Sequence, residues 1–366
     1  MKKCVYCLKQ EGETTFNNEE HIIPQSLGGK TFPTISKNLV CDSCNSILLS
    51  NLETKFKRDS IEGLYAQMFN IWSKSVWITG ENIEIETVEG FGERFFDEAF
   101  PFLSFQNNTP VVNYTPQLKV RNKKSGYQVF PLKTLQKAEQ SRSKDFREIK
   151  ERLSKVSNKD MLLFSNSNEP SDFDFNNSLS LLKKYGMDYK ETKRIFSSIK
   201  ETKQNIFKIK WRYKLNPDGM RVIAKIAFNY FIYCSQEEGE IYTEKLFSNN
   251  FNEIRNYIVN GYGNWNDIVE ISELDYISDI EKDNPNRIIA HTIKFFLRED
   301  RIIAYISLFG EKIYKVNIGK SPFSFIPIGL GCGHIFDPFT NTVYPIGPSK
   351  YSINRLTQPG YGLFKL

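Results

Sequence analysis

Four cysteines stand in two pairs, Cys4-Val-Tyr-Cys7 and Cys41-Asp-Ser-Cys44. Between them lie Glu20-His21-Ile-Ile-Pro24, Gly28-Gly29 and Asn38, and Asn45 follows directly. Two C-x-x-C pairs can present four thiolates, the donor set of a closed, tetrahedral structural zinc site. The tether from Cys7 to Cys41 is longer than in a simple zinc ribbon, so a zinc ion there would pin the ends of an insert that has its own work. Inside that insert an imidazole and a carboxylate are neighbours. His21 can take a proton from water near neutral pH. Glu20 and the amide oxygen of Asn45 are hard donors of the kind Mg²⁺ prefers. A base and a cation at the departing oxygen are what phosphodiester hydrolysis requires. On a regular strand Glu20 and His21 would face opposite ways, so a bend at Pro24 or a bulge has to re-aim them. Asn38 suits a hydrogen bond to the backbone of the loop that carries the base. The Gly28-Gly29 pair suits a tight turn in that loop.

In this order the features resemble the HNH endonucleases of the zinc-braced ββα-metal type, over about residues 1–60. The resemblance implies His21 as general base, Glu20 and Asn45 as ligands of a catalytic Mg²⁺ or Mn²⁺, and Asn38 as the residue that orients the base. It implies Cys4, Cys7, Cys41 and Cys44 as the structural zinc ligands. The third signature residue is Asn where His is usual, and the acid is Glu where Asp is common, which makes this an HNN variant. The implied activity is hydrolysis of DNA, double-stranded in the first instance, to 5′-phosphate and 3′-hydroxyl ends. A place in restriction or antiviral defence follows by analogy with HNH units fused to long further domains. Two other readings stay open: a zinc ribbon that binds nucleic acid without cutting it, and a nuclease gated by a ligand or protein partner at its C-terminal domain.

The elements that must position these residues can be read from periodicity. A helix opened near Cys44 should run through Ile47-Leu48-Leu49, Leu52 and Phe56, and a second from Ile61 to about Ser75. Short strands are expected from 76 to 130, among them Val76-Trp-Ile, Ile83 to Thr87 and Val111 to Tyr114. Between 117 and 157 twelve Lys and Arg face four Asp and Glu, whereas the whole chain is only +6, so the basicity is local. That stretch reads as a polar helix from Thr134 to Val156, suited to phosphate contacts or to a solvated face. The segment from Asn166 to Asp174 reads as a linker. Asn216-Pro-Asp-Gly should open a strong helix with Met220, Ile223, Ala224, Ala227, Tyr230 and Phe231 as its apolar stripe; Arg221, Lys225 and Asn229 fall on another face, expected in solvent, with DNA or a partner acid as the alternative. A helix from Thr243 to Asn260 should break at Gly261, and Ile288 to Tyr314 should form a hairpin turning at Arg298-Glu-Asp-Arg301. His291 is expected as a packed side chain, and Cys234 and Cys332 as buried small hydrophobes.

The fold class expected is α+β: a nuclease domain at 1–75, strands and a basic helix at 76–165, and a C-terminal α+β domain at 166–366. An apolar fraction of 40% with 14% aromatics supports packed cores rather than disorder. No apolar run reaches membrane-span length and a zinc ligand stands at position 4, so a soluble, cytoplasmic protein is expected.

Overall fold

The computed structural model describes residues 2–69, 216–271, 290–310, 312–321 and 333–346 and, between 71 and 213, mainly separate helices and strands. Cys332, residues 167–174, Val76-Trp77 and everything past 346 lie outside the described residues. The fold is α+β. Its helices and sheets form two compact units, and neither is continuous in sequence. One comprises Met1–Lys57, Asn107–Thr109 and Leu215–Leu366; the other comprises Arg58–Gln106 and Pro110–Lys214. The N-terminal segment thus shares its unit with the C-terminal part.

In the first unit, β1 (Glu20–His21) pairs antiparallel with β2 (Thr34–Ile35). A π-helical stretch, Ser43–Leu49, then leads into α1 (Ser50–Asp59). The wider π turn explains a spacing that α periodicity alone misplaces: Cys44 and Leu49, five apart, are both buried, whereas Ile47 is 64% exposed. The second expected helix, α2 (Ile61–Met68), belongs to the other unit. It is capped by the Ser60 hydroxyl, which accepts from the Gly63 N–H, and it ends earlier than expected.

That other unit holds a five-stranded sheet in the order β10-β9-β7-β8-β3, formed by β3 (Ile78–Thr79), β7 (Gln117–Asn122), β8 (Gly126–Pro131), β9 (Met161–Asn166) and β10 (Lys193–Ser197). Two further pairs are β4 (Ile83–Val88) with β11 (Lys208–Tyr213), and β5 (Phe102–Gln106) with β6 (Thr109–Asn113). The single polar helix expected from 134 to 156 is two helices, α3 (Leu132–Ser141) and α4 (Lys144–Leu153). Together with α5 (Phe175–Lys184) they bury Leu135, Ile149, Leu153 and Leu182 against Leu118, Val120 and Phe130.

The centre of the first unit is α6 (Pro217–Glu237), opened by Asn216, whose side chain accepts from the Asp218 N–H, with Pro217 in its first turn. The expected stripe is buried, but so are Lys225 and Asn229, and Arg221 is half-buried on the Ile258 and Val259 carbonyls. The expectation of a solvent face fails because this helix has partners on more than one side. On one side lies a six-stranded antiparallel sheet in the order β12-β15-β14-β13-β16-β17. Its strands are β12 (Val269–Ile271), β13 (His291–Arg298), β14 (Arg301–Leu308), β15 (Lys312–Lys320), β16 (Gly333–Asp337) and β17 (Thr342–Ile346). The Tyr230 and Phe295 rings stack at 5.0 Å there. On another side, Phe228 meets Tyr6 edge-on at 5.8 Å, beside the first cysteine pair. The β13–β14 turn falls at Glu299-Asp300, as expected. The expected helix from 243 to 260 is interrupted, and its last part, Asn252–Asn260, is closed by Gly261 at φ 70°.

Candidate active site and zinc centre

The two C-x-x-C turns are knitted together by backbone hydrogen bonds: Val5 N–H to the Leu39 carbonyl at 2.8 Å, Lys3 N–H to Asn38 at 3.2 Å, and Cys4 N–H to Lys9 at 2.8 Å. The sulfurs of Cys4, Cys7, Cys41 and Cys44 all lie within 4.8 Å of one another, with Cys7 and Cys41 at 3.7 Å. Tetrahedral zinc with bonds of about 2.3 Å needs sulfurs about 3.8 Å apart, so the four fit that ion. Their crowding makes a cation necessary if all are to ionise. A hydrogen bond from Cys44 favours the Cys4 thiolate, but contact with Cys7 and burial outweigh it and push Cys4 up to about 12. Cys44 is also raised, first by its contact with Cys4. Among the described residues no other group of three or more His, Cys, Asp or Glu brings its ligand atoms together.

Asp42, which sequence reasoning did not single out, ties the second cysteine pair to the chain entering β1. Its carboxylate accepts from the Asn17 N–H at 3.0 Å, the Asn18 N–H at 3.2 Å and the Thr15 hydroxyl at 2.5 Å. Those bonds hold its carboxyl below the usual range, the Thr15 hydroxyl contributing most.

His21 lies half-buried at the end of β1. Gln25 Nε2 donates to its Nε2 at 2.6 Å, while its Nδ1 is buried without a hydrogen bond. Burial, and then the nearby Lys225 charge, lower its pKa and so favour the neutral ring. The loop after it is closed by Gly28 at φ 95° and by Gly29, where a Cβ would fall 1.8 Å from the Ile23 carbonyl oxygen. The glycine pair is therefore required by both dihedral and proximity. His291 Nε2 donates to the Leu27 carbonyl at 2.8 Å and fixes the same loop from the sheet; it is a packed side chain, as expected.

Glu20 points the other way. Strand alternation puts it, with its partner Ile35, on the buried face, while His21 pairs with Thr34 on the opposite one. No bulge re-aims them. Glu20 Oε1 meets the Lys225 ammonium and, at 3.2 Å, the Asn229 amide. Burial pushes its carboxyl up to about 7 against the pull of Lys225. The carboxylate on the His21 face is that of Glu19, which accepts from the Thr34 hydroxyl at 2.9 Å. Asn45 Nδ2 donates to the Glu19 carbonyl at 2.9 Å, so Oδ1 is the amide atom left for another partner. Asn38 is exposed, and its hydrogen bonds run through its backbone, to Ser36 and Lys3.

Four clustered cysteines that frame a short strand carrying an imidazole, followed by a helix with a polar amide in its first turn, are consistent with a zinc-braced unit. Residues 4–61 match the HNH endonuclease family. No curated protein matches the chain, and no solved structure does.

Proposed function

We propose that the protein is a metal-dependent HNH endonuclease that hydrolyses phosphodiester bonds of DNA, with His21 as its general base. The observation that supports this most is the half-buried His21 ring, whose Nε2 lies 2.6 Å from the side-chain amide of Gln25, a partner that water can replace. A water O–H can take the place of the Gln25 N–H and give its proton to Nε2 as the oxygen attacks phosphorus. The four cysteines would hold zinc and keep the entry to β1 in place. A divalent ion such as Mg²⁺ or Mn²⁺, when bound, supplies positive charge for the leaving oxygen. Asn45 Oδ1 fits as one of its donors, whereas Glu20 as placed is an ion-pair partner of Lys225.

A nucleic-acid substrate is supported by the family match, and the exposed Lys137, Arg147 and Lys150 on α3 and α4 suit phosphate contacts; duplex DNA is the form we propose. A role in restriction or antiviral defence in the cytoplasm, with a partner or signal at the C-terminal domain, rests on analogy. Among the described residues no helix is long and apolar enough to cross a membrane.

The deciding experiment is plasmid nicking with Mg²⁺ or Mn²⁺ by wild type and His21→Ala. The expected outcome is metal-dependent cutting that falls about 10²- to 10⁴-fold in the variant. DNA binding without any metal-dependent cutting in the wild type would replace this reading with that of a zinc-ribbon binding module.

A further inference from the structure

Glu20 occupies the sequence position of a metal-binding acid, yet its surroundings are those of a buried ion pair. It is 4% exposed, and both of its polar contacts from α6 converge on one oxygen, Oε1. Lys225, 1% exposed, has all three N–H directions engaged: by Glu20, by Glu53 Oε1 at 2.5 Å, and by the His21 carbonyl at 3.0 Å. Asn229, fully buried, donates to the same His21 carbonyl at 2.9 Å, and its Oδ1 accepts from the Tyr6 hydroxyl. Two side chains from one helix thus grip the backbone of the base itself, and Glu20 supplies the charge that makes burial of Lys225 tolerable. Glu53, from α1, completes the cluster through Lys225.

We propose that Glu20 is a positioning residue and not a ligand of the catalytic ion: paired with Lys225 and Asn229, it fixes β1 and the His21 ring onto α6, which makes that helix part of the nuclease site. The proposal rests on the HNH reading for the identity of the base. It assigns a role to two residues far beyond the family match, which ends at residue 61, and it ties the charges of Glu20 and Lys225 into one unit.

The test is a double-mutant cycle on the full-length, zinc-loaded protein: Glu20→Gln, Lys225→Met and the double variant, with Asn45→Ala as the metal-ligand control. Lys225→Met leaves a buried carboxylate without its cation, and cleavage should fall at least ~10-fold through kcat with little change in KM. Removing that carboxylate in the double variant should recover part of the loss, because one stranded charge is gone, while the missing Lys225 hydrogen bond to the His21 carbonyl keeps cleavage below wild type. Mn²⁺ affinity, followed by calorimetric titration, should be unchanged in Glu20→Gln and weaker in Asn45→Ala. A double variant as inactive as a ligand knockout, or an Mn²⁺ affinity about tenfold weaker in Glu20→Gln alone, overturns the proposal and restores Glu20 as a ligand. Should wild type neither cut nor bind Mn²⁺, the nuclease reading falls. Thermal unfolding of the same four proteins still reads the clamp: a stability loss in Lys225→Met that Glu20→Gln does not relieve refutes it.

Discussion

The zinc end and the base strand adjoin in sequence but are held in different ways. Around the cysteines the bonds are short-range and mostly backbone to backbone, and every sulfur donor falls within the first 44 residues. Around His21 the bonds come from side chains far along the chain: Lys225 and Asn229 on the strand, His291 on the Leu27 carbonyl. The first region offers a four-sulfur site that an ion would close, and the second leans on distant parts of its own unit. A compact motif can therefore declare its chemistry in sequence while leaving its support invisible.

The largest effect should come from the zinc end. Structural zinc is worth an apparent ~10–16 kcal/mol in small metal-folded modules, as much as the whole stability of an ordinary domain. Chelation, or Cys44→Ser, should therefore abolish zinc content, measured by atomic absorption, together with the first cooperative unfolding transition. A Cys44→Ser protein that retains both the ion and its melting temperature would break the contrast, because the base strand and α6 would then be holding the zinc end rather than the reverse.

What could be read from the sequence follows the same division. The cysteine pairs, the glycine turn, the Asn216 cap and the apolar stripe of α6 were legible because each is a local pattern with a local cause. Lys225 and Asn229 were misread as solvent-facing because a helical wheel shows which residues share a face and not what covers it; here the cover is the first two dozen residues of the chain. The π turn at Ser43–Leu49 left no mark beyond the five-residue step from Cys44 to Leu49. The direction of Glu20 was half legible: alternation predicts its divergence from His21, but nothing in the sequence said whether a bulge would undo it. Asp42 could have been found as an acid just after a knuckle cysteine, a position suited to capping a nearby turn.

A middle-sized effect should appear in acid and sharpen the role of distant side chains. Burial pushes the His291 pKa down to about 4 from 6.5. Between those values the unfolded chain binds a proton that the folded one refuses, so stability is complete above pH 6.5 and declines as pH falls toward 4, by about 3 kcal/mol in all. Glu20 acts in the opposite sense: its raised carboxyl pKa favours the protonated folded form between the ordinary carboxylate range and about 7. The measurement that isolates His291 is thus the difference between wild type and His291→Gln in urea midpoint from pH 7.5 to 4. The variant should be the less stable at pH 7.5 and show the shallower acid decline. Parallel curves would mean that the ring is not the acid-sensitive link between the sheet and the base loop.

The smallest effect concerns the seam between the two regions. Asp42 belongs to the zinc end by position, yet its bonds reach forward onto residues 15–18, the approach to β1. These bonds are near the surface, and each nets little against water, so Asp42→Ala should cost only about 1 kcal/mol of stability, with zinc retained. Its signature should be local: faster hydrogen exchange at the Asn17 and Asn18 amides, and a modest fall in kcat from a less well fixed strand. If exchange quickens there while kcat holds, α6 alone is sufficient to place the base. If kcat falls in step with exchange, the zinc end is felt at His21 through this carboxylate, and the two regions form one mechanical unit despite their different means of support.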